Sequence, residues 1–77
     1  MKLWLLTKVD GDDSWKQPYE KNHGFVIRAL TEARARRLAQ ASAGDEGVDA
    51  WTAEHSTCVE LTTKGRETIV LTDFWSA

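Results

Sequence analysis

The run from Gly24 to Gly44, GFVIRALTEARARRLAQASAG, constrains this chain more than any other, because it reads as a β-strand feeding directly into a capped helix. Phe25, Val26 and Ile27 favour extended backbone, and the strand pattern continues through Ala29 and Leu30. Thr31 then offers a hydroxyl to the unpaired amides of a first helical turn, and Glu32 places negative charge at the positive end of the helix dipole. Leu30 at N′ and Ala35 at N4 are spaced for a weak hydrophobic staple, while Arg34 at N3 leaves the capping box incomplete. At 100° per residue, Ala35, Leu38, Ala39 and Ser42 share one face, and Arg36, Arg37 and Gln40 share the opposite one. Gly44 follows as the C′ residue that ends the helix. A face built mostly from alanine lets the helix lie close to what it covers, and a sheet is the natural partner.

The remaining segments supply that sheet. Met1 to Lys8 reads as a strand with Leu3 and Leu5 on one side and Trp4 and Leu6 on the other, so both faces want cover and a central position is expected. Asp10 to His23 holds turn residues and the only proline, and is the first connection, with Trp15 and Tyr19 expected to pack back on the body. Asp45 to Ser56 is a second irregular stretch, centred on Trp51. Thr57 to Thr63 alternates, with Val59 and Leu61 opposite Cys58, Glu60 and Thr62. Lys64-Gly65 resembles a hairpin turn leading into a fourth strand, Glu67 to Phe74. The order β-β-α-β-β predicts an α+β fold, a two-layer sandwich with one helix on a mainly antiparallel sheet. A right-handed crossover from the second strand through the helix to the third is satisfied when the first strand lies between them.

The 77 residues make one domain, 1–77, near the lower limit for a self-sufficient core, so a monomer and a homodimer both stay open. One cysteine excludes an internal disulfide and suits a reducing cytoplasm. The opening MKLWLLTKVD is too short in apolar residues for a signal peptide or a membrane span. A net charge of −2 argues against holding nucleic acid by overall charge.

Few residues suggest chemistry. The run Asp10-Gly11-Asp12-Asp13-Ser14 fails as a calcium loop, because Trp15 and Lys21 stand where glycine and glutamate are needed. His55 and Cys58 are three apart, with His23 elsewhere; two such residues make a weak zinc or nucleophile–base signal, and a structural role is the better reading. No phosphate-binding glycine loop occurs. Asp73, beside Phe74 and Trp75, reads as a surface acid. No metal, no cofactor and no enzymatic activity are expected. Binding features are more informative. Trp15 and Trp51 lie in polar stretches, each either anchoring its loop or offering a contact; with Asp12, Asp13, Asp45 and Glu46 they would make a protein-binding rim. Arg34, Arg36 and Arg37, with Arg28 before the helix, form a basic face that suits a partner protein or, as the alternative, phosphates of nucleic acid.

The segments MKLWLLT, GFVIRA followed by TEARARRLA and GDEG, W…STCVEL, and TIVLTDFWSA together resemble a group of small proteins carried by bacteriophages and prophages. The likeness covers most of the chain, although the group's pattern ends in a small residue plus glycine where this chain has Ser76-Ala77. The group has no catalytic motif to carry over. The resemblance implies a phage origin and work in the host cytoplasm. Small acidic phage proteins often inhibit host machinery, anti-CRISPR proteins among them. The expectation is a non-enzymatic accessory protein that binds and modulates a host protein, with a CRISPR-Cas defence complex as one candidate target.

Overall fold

The structure, a computed structural model, describes residues 1–9 and 21–72. Strands β1 (Lys2–Lys8), β2 (Gly24–Ala29) and β3 (Ser56–Leu61) form one sheet in the order β2-β1-β3. Helix α1 (Glu32–Ala41) follows β2, and a short 3-10 helix, Val48–Trp51, precedes β3. Both outer strands run antiparallel to β1, with Leu5 opposite Val26 on one side and Val59 on the other. The outer strands are therefore parallel to each other, and the first strand lies between them as its two apolar faces imply. This is the α+β arrangement expected, with one helix over an antiparallel sheet.

Helix α1 begins as its sequence dictates. Thr31 has extended backbone, and its hydroxyl accepts a hydrogen bond from the Arg34 amide at 3.3 Å. The alanine-rich face does lie close: Ala35 and Ala39 are fully buried and join Leu6, Ala29, Ala50 and Trp51 in the core. Trp4, Phe25, Ile27, Ala43 and Cys58 pack around that centre, half-buried. The indole of Trp4 also donates to the Ala29 carbonyl at 3.1 Å, strapping β1 to the end of β2.

The helix is rotated from the expected orientation. Leu38 is 50% exposed and Ser42 is exposed, whereas Arg36, expected outside, turns inward with only 13% of its side chain accessible. Leu30, expected to staple onto Ala35, is likewise half exposed. The inward face runs through Ala35, Arg36, Ala39 and Ala43. The cause is the set of acceptors that Arg36 finds beneath the helix, described below. A single long side chain with four hydrogen bonds outweighs the burial of one leucine, which is worth about 1.5–3 kcal/mol.

The fourth strand is also corrected. Among the described residues, 62–72 hold no strand, and Asp73, Phe74 and Trp75 lie outside them. The Lys64-Gly65 turn does not return the chain along β3. Gly65 adopts a φ of +132°, a conformation that other residues rarely adopt, and the Thr62 hydroxyl donates to the Lys64 carbonyl at 3.2 Å. These two features turn the chain away, leaving Ile69, Val70 and Leu71 at 78%, 62% and 52% exposure.

The rotation of α1 gives a direct test. Replacing Ala39 with Leu should cost about 1–3 kcal/mol by overpacking, whereas Leu38→Ala should cost under about 1 kcal/mol because the side chain is already half in water. Urea unfolding followed by circular dichroism reads both. The reverse order would mean that Leu38 faces the sheet.

Candidate functional site

Two internal networks decide which charged residues are left for an outside partner. The first is centred on Glu46, a buried acid in the connection between α1 and the 3-10 helix. Its Oε1 accepts from the Asn22 amide at 2.9 Å and the Gly44 amide at 3.0 Å. Its Oε2 accepts from the Trp51 indole at 2.7 Å and the Asn22 side-chain amide at 3.0 Å. The second amide hydrogen of Asn22 goes to the Ser42 carbonyl at 3.0 Å. One carboxylate thus joins the chain before β2, the end of α1 and the 3-10 helix. Burial raises the Glu46 pKa, but the hydrogen bonds from Asn22, Trp51 and nearby backbone amides outweigh it and hold the group down at about 2.

The second network surrounds Arg36. Its Nε donates to Glu32 Oε2 at 3.0 Å, Nη1 to the Trp51 carbonyl at 3.2 Å and to Ser56 Oγ at 2.8 Å, and Nη2 to the Ser56 carbonyl at 3.2 Å. Ser56 Oγ in turn donates to the Thr52 carbonyl at 2.8 Å. Trp51 is therefore held at its ring by Glu46 and at its backbone by Arg36. Phe25 meets its ring edge-on, with centroids 4.7 Å apart. Gly47 starts the 3-10 helix at a φ of +85°, which lets the chain turn between these two clamps.

These contacts correct three of the expected contact residues. Trp51 is fully buried and anchors its loop, Glu46 holds that anchor, and Arg36 makes four hydrogen bonds inside the fold. None of them presents a surface. Asp45 is exposed, and Trp15, Asp12 and Asp13 lie outside the described residues.

Arg34 and Arg37 do reach the surface, and Arg28 joins them. Together with Met1, Ala29, Leu30 and Leu38 they line an open groove of about 280 Å³ between the end of β2 and the first turns of α1. None of the three guanidinium groups has a carboxylate partner among the described residues, where the ion pairs are Lys2–Glu60 and Arg36–Glu32. Leu30, Leu38 and Met1 expose half or more of their surface between them. Unpaired, forked donors beside uncovered apolar side chains suit a ligand that is both acidic and apolar. Sequence reasoning found these arginines but missed the leucines, because helical periodicity assigned Leu38 to the core.

Cys58 lies on β3, His55 just before that strand and His23 just before β2. Cys58 faces the helix side of β3, and its thiol is pushed up, first by burial and further by the charge of Glu32, against an opposing effect of Arg36. A raised thiol pKa disfavours the thiolate that nucleophilic or metal chemistry needs. The His55 backbone bridges to Val9 and Thr52, and no cluster of three metal-ligating side chains occurs among the described residues. No helix there is long and apolar enough to cross a membrane. Comparisons with protein families, curated proteins and solved structures return no match.

The Glu46 pKa has a signed consequence for stability. Its folded value of about 2 lies below the ordinary 4.5, so between those values the unfolded chain binds more protons. The contribution, of order 3 kcal/mol, is present above pH 4.5 and is lost as the pH falls towards 2. Glu46→Gln should therefore lower stability at pH 7 by about 2–3 kcal/mol, with the gap to the wild type closing near pH 2. Urea titrations at both pH values measure this. A gap that stays constant with pH would remove the ionised carboxylate from its role.

Proposed function

We propose that this chain is a non-catalytic binding module that docks on an acidic, partly apolar protein surface through the groove of Arg28, Arg34 and Arg37. The supporting observation is the pairing of three uncompensated guanidinium groups with the exposed side chains of Leu30 and Leu38. An amphipathic segment carrying carboxylates satisfies both halves of that groove: carboxylates take the forked N–H donors, and an apolar residue covers the leucines. A phosphate backbone would satisfy only the arginines and leave the apolar floor wet. For this reason a protein partner is preferred to nucleic acid. The resemblance to phage-borne proteins makes a host protein the partner, and a defence complex such as CRISPR-Cas the first target to try.

The test is capture from a bacterial lysate with the tagged chain, with and without nuclease, beside an Arg34→Glu/Arg37→Glu variant. Both positions are exposed, so the variant should keep its fold by circular dichroism. The expected result is a protein band that survives nuclease, weakens with salt and disappears with the variant. A band unchanged by the two substitutions, or recovery of nucleic acid alone, would overturn the proposal.

A further inference from the structure

We infer that the open face of the sheet is the interface between two copies of this chain, each laying its segment 67–72 against the other's sheet. Helix α1 covers the face that carries Leu6, Phe25, Ile27 and Cys58. The opposite face follows from the register. Val26, Leu5 and Val59 form one row across the three strands, with Leu3 and Leu61 beside them. Val26 and Val59 are 57% and 55% exposed, and nothing among the described residues covers them.

This face is prepared for burial in its polar groups as well. The next row pairs Thr7 with Thr57, whose hydroxyls are hydrogen-bonded to each other at 2.8 Å. With Thr7 donating to Thr57 and the Thr57 hydroxyl donating to the Thr7 carbonyl at 3.5 Å, removing water from that pair orphans no donor. The one charged residue on the face is Arg28, at the end of an edge strand where its side chain lines the groove. Like-charge repulsion between two copies is therefore confined to a rim.

The occupant is indicated by the chain's own tail. Ile69, Val70 and Leu71 are three consecutive β-formers held in water, and the turn at Gly65 directs them away from their own sheet. The outer edge of β3 pairs with no described strand, so its backbone groups are open to a new partner. Each copy thus carries both an apolar donor segment and an apolar acceptor face. Two copies related by a twofold axis satisfy all four at once, which is the self-complementarity of an isologous interface. A need for such association is visible in the core, where Trp51 and Leu6 are the largest side chains fully buried among the described residues.

Light scattering behind a size-exclusion column, on the full chain over a wide concentration range, tests this. The wild type should show twice the chain mass of 8.7 kDa. Val26→Lys/Val59→Lys should return the single-chain mass with an unchanged circular dichroism spectrum, since both side chains lie outside the core. Ile69→Ser/Leu71→Ser should do the same, and it touches no sheet residue, so it decides the matter if the first variant misfolds. A single-chain mass for the wild type at every concentration assigns the face to another occupant and overturns the inference. So does a double mass that survives the tail substitutions.

Discussion

The fold depends on a buried carboxylate, Glu46. Burying an ionised acid costs several kcal/mol unless its lone pairs are filled, and Glu46 fills them with four N–H donors from three separate stretches of chain. The dependence is mutual. A buried indole N–H also needs an acceptor, and the Glu46 carboxylate supplies it to Trp51 at 2.7 Å. Loss of the Trp51 indole removes one of the four donors to Glu46, and loss of Glu46 removes the carboxylate that accepts from the buried indole. That coupling gives an otherwise irregular connection, residues 42–55, a definite path between the helix and β3.

The arginines show how identical side chains take opposite roles through the acceptors within reach. Arg36 lies above the carbonyls of Trp51 and Ser56 and beside Glu32, and four hydrogen bonds inside the fold engage it. Arg34 and Arg37 sit on the same helix, one or two residues away, and meet no acceptor among the described residues. Their charge is left for the exterior, where the approach of a carboxylate needs no internal bond to be broken. The inward turn of Arg36 is also what rotates the helix and brings Leu38 into the open. The apolar half of the groove is therefore a by-product of the internal network.

This explains which parts of the structure were legible in the sequence. The strand–helix unit, the Thr31 cap and the central place of β1 follow from local patterns, and the structure contains them. The position of Glu46 does not follow. Asp45, Glu46 and Asp49 look alike along the chain, and only tertiary proximity to Asn22 and the Trp51 ring turns the middle one inward. The helix orientation failed for a related reason. Periodicity ranks faces by apolarity, and it has no means of weighing a buried arginine against an exposed leucine. The final segment misled because β-propensity describes what a strand would be made of, whereas a strand also needs an edge to pair with. Gly65 takes the chain off the edge of β3, and no property of Ile69, Val70 and Leu71 reports that.

The two surfaces proposed for this chain lie on different parts of it and meet at Arg28. That residue is the penultimate one of β2, on the open face of the sheet, and it lines the groove. In a two-copy particle the grooves stay accessible, because they are formed by the start of α1 on the far side of the sheet from the apposed faces. Such a particle carries two arginine grooves in fixed relation. A partner with repeated acidic sites would then meet the second groove at high effective concentration, so weak individual contacts would suffice for tight capture. A small core, an uncovered sheet face and a shallow charged groove are each marginal in isolation. Association in pairs would turn all three into features of one binding device.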